Sequence, residues 1–181
     1  ADVAKLMGAE VVLITTKDVD APYKIVKVKS ALDMQKAVND EFETSDIIVM
    51  AAAVADYRVK NYSEQKMKKG TDDTLTLELV KNPDILQELC NRKANSEHKP
   101  IIVGFCAESE NLIDNAKAKI KKKGCDFLAA NDISKKDIGF SSDENEIQLL
   151  EDNGTIYSLT KDLKTTIARK MLSIIAVVRN L

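Results

Sequence analysis

Four short segments hold most of the residues able to do chemistry: Ala51-Ala52-Ala53-Val54-Ala55-Asp56-Tyr57-Arg58, Lys81-Asn82-Pro83-Asp84, Val103-Gly104-Phe105-Cys106-Ala107-Glu108 and Ala129-Ala130-Asn131-Asp132. Each closes an apolar, strand-like run, and the carboxyl ends of strands are where an open α/β sheet gathers its ligands. Asp56 follows five residues that are all Ala or Val. Small side chains there, Ala52 and Ala53 among them, admit a ligand to the backbone. A carboxylate at that point can accept from a sugar hydroxyl or face a cation; capping a turn is the plainer alternative. Asn82 to Leu86 reads as a helix N-terminus, whose free N–H groups and positive dipole end suit phosphate or a base edge. An ordinary capped helix would read the same way. Phe105 can stack on a base or pack in the core, and its residue type alone favours the core.

Lysines supply the other chemistry. Lys66, Lys68 and Lys69 lie within a polar, Lys-rich, unpatterned stretch, residues 58–74. Loops of that length in a compact domain tend to be lids. Lysines on one can close over a triphosphate and neutralise charge developing at phosphorus; a solvated charge run is the simpler reading. Lys119 and Lys123 are four residues apart and share a helix face. They suit phosphate oxygens as point charges, or they solubilise a helix end together with Lys121 and Lys122. Asn131 either meets substrate or ties its loop. Cys106 invites a nucleophile reading, but no His or Asn arrangement supports it. The single histidine, His98, falls in a loop, and a buried Cys usually just packs.

The elements that must position these residues alternate between strand and helix, which predicts a mostly parallel α/β sheet. Ala1 to Gly8 reads as a helix end with Gly8 as its C-cap. Residues 10–16 and 46–53 are continuous apolar runs, as in strands buried on both faces, and 23–28 alternates. Ser30 and Asp33 have capping-box spacing for a helix to about Phe42. A strand is expected over 75–80. Asn82 as N-cap and Pro83 at the first helical position would then open a helix to about Ala94. A strand over 101–106 leads to a helix from Ser109 or Glu110 that stops at Gly124, then a strand over 126–130. Asp152-Asn153-Gly154 predicts a hairpin between 146–150 and 155–159. A last helix from about Thr160 would stripe Leu163, Ile167, Met171 and Ile174 on one face.

Bulk properties narrow the classes. The 181 residues make one domain with room for a real core. Lys plus Arg is 27 against 29 Asp plus Glu, so the net charge of −2 gives no basic field for nucleic acid. No apolar run is long enough to span a bilayer. Three cysteines without metal-ligand spacing suit a reducing, cytoplasmic setting.

In their order and spacing the four segments resemble phosphopantothenate–cysteine ligase (phosphopantothenoylcysteine synthetase), the bacterial CTP-dependent family of coenzyme A synthesis. The resemblance covers nearly the whole chain, and Gly139 to Asn145 shares it. It implies a three-layer, Rossmann-like α/β fold closed by a C-terminal β-hairpin and helix. It implies a ligase that joins 4′-phosphopantothenate to L-cysteine with CTP and Mg²⁺, through an acyl-cytidylate. By residue, Ala52, Ala53, Asp56, Pro83, Asp84, Ile85, Leu86, Phe105, Lys119 and Lys123 would line the CTP site. Lys66 would be the catalytic flap lysine, and Asn131 a substrate contact; no metal ligand is assigned. Such enzymes dimerise and are often fused to a flavin-dependent phosphopantothenoylcysteine decarboxylase, so FMN is expected only with that upstream domain. The family's Gly-rich turn and the Asn that acts on the acyl-cytidylate have no match here. The domain therefore reads as N-terminally truncated, and the activity of this chain alone stays open. Two rivals keep the same fold: an NAD(P)-dependent oxidoreductase, which requires a G-x-G-x-x-G turn absent after residues 10–16, and a non-catalytic interaction domain.

Overall fold

The computed structural model describes residues 1–63, 65, 75–134 and 142–180. Its centre is a five-stranded sheet built from β3 (Ile47–Met50), β6 (Ile101–Glu108), β7 (Phe127–Asp132), β8 (Glu144–Glu151) and β9 (Ile156–Leu163), in that order. The first three strands run parallel and the last two antiparallel. Two further pairs stand apart: β1 (Val12–Thr15) parallel with β2 (Lys24–Lys27), and β4 (Tyr57–Val59) antiparallel with β5 (Leu79–Lys81). The expected single sheet is thus three hydrogen-bonded pieces among the described residues.

Pleating sorts the core into two layers. Along β6, Ile102 and Cys106 face a cluster with Phe42, Leu89, Ala116, Ile120 and Leu128. That cluster is roofed by α2 (Ala31–Glu41), α3 (Ile85–Asn95) and α4 (Leu112–Lys123). Ile101, Val103 and Phe105 face the other cluster, with Phe127, Leu149, Ile167, Met171 and Ile175, under α5 (Lys164–Arg179). Helices on both faces of the sheet give the three layers expected, with the short α1 (Asp2–Leu6) against α5. No helix among the described residues is long and apolar enough to cross a membrane.

Several local expectations hold. The Asp33 N–H donates to Ser30 Oγ at 3.1 Å and the Ser30 N–H to Asp33 Oδ2 at 2.9 Å, a closed capping box. Gly124 ends α4 at φ +72°, where an L side chain would be strained. The hairpin forms around Gly154, with the Glu151 N–H donating to Thr155 O at 2.9 Å.

Others shift. β5 covers only Leu79–Lys81. Leu75 and Leu77 lie outside it and are 68% and 56% exposed. Arg58, taken as the start of the loop over 58–74, is the middle residue of β4. Residues 66–74 lie outside the described residues, Lys66, Lys68 and Lys69 with them. α4 starts at Leu112 rather than near Ser109, because β6 runs on to Glu108. β9 likewise continues to Leu163, so α5 begins at Lys164. Leu163 is then 51% exposed, and the buried stripe is Ile167, Met171 and Ile175.

Candidate functional site

The carboxyl end of β3 opens into Ala52, Ala53, Val54, Ala55 and Asp56. All but Val54 are exposed; Val54 tucks into the helix-side core. This segment is clamped from the far side. The Asn82 N–H donates to Asp56 O at 2.8 Å, and Asn82 Nδ2 donates to Ala55 O, also at 2.8 Å. Arg58 Nη1 donates to Lys81 O at 2.6 Å. Two motifs separated by about 25 residues are thereby fixed to one another. A cavity of about 350 Å³ runs from Ala52, Ala53 and Asn82 across to Thr15, Thr16 and Ser30.

Because its side chain is spent on that clamp, Asn82 is not the cap of α3. Asp84 is: its Oδ1 accepts from the Gln87 N–H at 3.1 Å, and the helix starts at Ile85. Pro83 therefore precedes the cap instead of opening the helix. Ile85 is buried, while Leu86 packs onto the strand beneath it. A Cβ on Gly104 would lie 2.7 Å from Leu86 Cδ2 and 3.0 Å from Leu128 Cδ1. Glycine at 104 is what lets α3 sit this close to β6.

The end of α4 meets the start of α3. Gln87 Nε2 donates to Lys123 O at 3.1 Å, and Lys123 Nζ forms an ion pair with Asp84 Oδ2. Burial alone would raise the Asp84 carboxyl, but hydrogen bonds from Lys123 and the Gln87 N–H outweigh it and hold it below the usual range. One turn earlier, Lys119 Nζ lies 2.5 Å from Glu108 Oε1, the last residue of β6. That contact raises the Lys119 ammonium above the ordinary lysine range, against the opposing effect of burial. The structure thus gathers Pro83, Asp84, Leu86, Lys119 and Lys123 at one end of the sheet, next to Ala52, Ala53 and Asp56.

Of the other expected members, Phe105 is turned away from this group and Asn131 lies at the same end of the sheet, beside the end of β6. Phe105 points to the opposite layer, packed against the core beneath α5. Asn131 is half-buried at the end of β7, in register with Ala107. The cysteines behave as packing residues. Burial pushes the Cys106 and Cys125 thiols up to about 11 and the Cys90 thiol up to about 12, so none supplies a thiolate at neutral pH. His98 is structural too: its Nε2 is 2.8 Å from Ser45 O, and its ring meets Phe42 edge-on at 6.0 Å. No group of three or more His, Cys, Asp or Glu able to hold a metal occurs among the described residues. Sequence reasoning missed Glu108, Asn115 and the Asn82 clamp. Glu108 carried the same signal as Asp56, a carboxylate closing an apolar strand, but its partner lies 11 residues away on a helix.

The architecture is that of a Rossmann-like α/β domain with a polar site at the carboxyl ends of its parallel strands. The chain belongs to the family described as DNA/pantothenate metabolism flavoprotein C-terminal domain, whose profile matches residues 1–178. Over 180 residues it is 37% identical to the Coenzyme A biosynthesis bifunctional protein CoaBC of Vibrio cholerae, covering 97% of this chain and 44% of that protein. The chain thus spans less than half the length of this relative. The crystal structure of the C-terminal domain of a CoaBC superposes with a TM-score of 0.76 at 28% identity, over 99% of this chain and 80% of that one. A Cab2 variant in complex with phosphopantothenate-cysteine shares the fold at a TM-score of 0.51 and 14% identity, over 76% of this chain and 46% of that one.

Proposed function

We propose that this domain is the CTP-dependent phosphopantothenate–cysteine ligase of coenzyme A synthesis. In this reading the pantothenate carboxylate attacks the α-phosphorus of CTP, forming an acyl-cytidylate and releasing pyrophosphate. The amine of cysteine then attacks the acyl carbon, and CMP leaves. Positioning and charge neutralisation carry such a reaction. Lys119 and Lys123 hold phosphate oxygens, and Lys66 neutralises charge at the α-phosphate. Asp56, the exposed backbone at Ala52 and Ala53, and the turn from Pro83 to Leu86 hold the nucleoside. Asn131 makes the substrate contact, while Phe105 backs the sheet from the layer under α5. Mg²⁺ travels on the triphosphate, where one or two protein carboxylates would suffice to hold it. FMN would enter only with a fused decarboxylase domain upstream.

The observation that carries the reading is the meeting of Asp84 with Lys123, and of Lys119 with the end of β6, in a chain of this family. Two features support its wider parts. Tyr57, Val59, Leu75, Leu77 and Leu79 are all at least 40% exposed. Val59 pairs with Leu79, so the ribbon of β4 and β5 has an apolar side suited to a second copy, in keeping with a homodimer. A cytoplasmic location accords with the free thiols.

Calorimetry on the intact protein tests the reading. CTP with Mg²⁺ is expected to bind more tightly than ATP. Equal or tighter ATP binding removes the CTP assignment, NADPH binding supports the reductase, and no nucleotide binding leaves the interaction domain.

A further inference from the structure

Glu108 is the least expected charge in the site. Its side chain is only 14% exposed, beside a lysine that is 46% exposed. Burying a carboxylate costs several kcal/mol unless partners compensate. Its partners are specific. Oε2 accepts from Asn115 Nδ2 at 3.1 Å, and the same Nδ2 donates to Glu110 O at 3.0 Å. Oε1 has Lys119 Nζ at 2.5 Å, a close ion pair. The main chain is fixed as well: Glu108 O accepts from the Ile133 N–H at 2.9 Å. The turn into α4 is tight, with Asn111 at φ +49°, and it lays Asn115 and Lys119, one turn apart, over the strand end.

The other lysine of the cluster is held differently. Lys123 pairs with Asp84, which is 51% exposed and already occupied as the cap of α3. Glu108 caps nothing. Its carboxylate has one evident task, which is to take the flexible four-carbon stem of Lys119 and fix where its ammonium sits.

We propose that Glu108, braced by Asn115, is a positioning residue that aims the Lys119 ammonium at the phosphate end of the nucleotide site. The proposal rests on the ligase reading, in which Lys119 meets CTP. Glu108 itself touches no substrate. A rigidly placed cation spends less freedom on each phosphate contact than a loose one does.

The test is a double-mutant cycle on the intact protein, read as the dissociation constant of CTP with Mg²⁺. Lys119→Met and Glu108→Gln are each expected to weaken CTP about tenfold. The double variant is expected to be no weaker than Lys119→Met alone, because Glu108 acts through Lys119. Glu108→Gln should also begin to lose CTP at a lower alkaline pH than the wild type, since its lysine has lost the anion that keeps it protonated; a purely structural role would not move that limb. Asn115→Ala, on the helix surface, should give a smaller loss that likewise vanishes in the Lys119→Met background, and it serves if Glu108→Gln does not fold. Losses that multiply in the double variant, or a Glu108→Gln that binds like wild type, overturn the proposal. If Lys119→Met binds CTP like wild type, the proposal falls with the nucleotide assignment of Lys119 beneath it.

Discussion

At the amino ends of the strands, Asp126 is surrounded. Lys93 Nζ reaches both its oxygens, at 2.5 and 2.6 Å, the Ile102 N–H donates at 2.7 Å, and Arg179 stands 3.9 Å away. Arg179 in turn pairs with Asp152 at 3.1 Å and lies 5.2 Å over the Phe127 ring. At the carboxyl ends, Glu108 and Asp84 each hold one lysine among the described residues, Lys119 and Lys123. Both ends pair lysines with carboxylates, and a cavity of about 350 Å³ opens at each. What differs is how completely each charge is used. Where main-chain donors and stacking complete the set, the charges lock α3 and α5 to the sheet. Where lysine tips stay in reach of water, they can accept an anion. A cavity alone does not mark the ligand end.

The largest effect should come from breaking the closed end. Asp126→Ala leaves the Lys93 ammonium and the Ile102 N–H without their partner. Removing one member of a buried ion pair costs roughly 3–5 kcal/mol, and urea unfolding should show a loss of that order. The folded fraction should bind CTP as the wild type does. Weakened CTP with unchanged stability would mean that the two ends are not separate in function.

At the open end, Lys66→Ala should slow acyl-cytidylate formation about a hundredfold, the usual cost of losing one charge-assisted contact to a developing charge. Lys60→Ala should change it little. Lys60 is paired with Glu78 at 2.6 Å on the exposed ribbon, a contact of small value. Single-turnover assays on the intact protein decide it; equal rates for the two variants would make Lys66 part of a charged surface. Gly104→Ala comes next. Its new Cβ must push Leu86 aside, which typically costs about 1–3 kcal/mol. Since Leu86 belongs to the first turn of α3, CTP should weaken as well as stability, and an undisturbed CTP affinity would remove that turn from the site.

The comparison also explains what the sequence could disclose. Local devices were legible: the Ser30 and Asp33 box, Gly124 past a helix and the Asn153-Gly154 turn are each settled by residues within a few positions of one another. The four site motifs were legible as strand ends. What stayed hidden depended on partners far along the chain. Asn82 has the side chain of a good N-cap, but Ala55, 27 residues earlier, takes it. Leu75 to Val80 alternates as a strand should, yet among the described residues only its end, Leu79 and Val80, pairs with another strand. Phe105 follows a glycine that faces α3, so pleating sends the phenyl ring to α5. Nothing local to Glu108 reveals Lys119.

The smallest effect sharpens the contrast within the open end itself. Asp84 has two roles, cap of α3 and partner of Lys123, and two substitutions separate them. Asp84→Ala removes both, and the lost cap should cost about 1 kcal/mol at neutral pH. Asp84→Asn keeps a side chain that caps well and loses only the exposed ion pair, for which a few tenths of a kcal/mol is the ordinary value. The pH dependence has a definite sign. The folded-state carboxyl lies below its unfolded value, because hydrogen bonds from Lys123 and the Gln87 N–H outweigh the raising effect of burial. The contribution of Asp84 is therefore present in full above the unfolded range, near pH 4, and is lost as pH falls through the folded value. The stability gap between wild type and Asp84→Ala should be widest at neutral pH and close in acid, whereas Asp84→Asn should show no such titration. Unfolding curves across that range, with CTP affinity measured alongside, decide between helix and ligand. If Asp84→Asn binds CTP within about twofold of the wild type, Asp84 serves the helix and Glu108 alone positions a lysine. A tenfold loss, about 1.4 kcal/mol, would instead make Asp84 and Lys123 a second pair of the same kind.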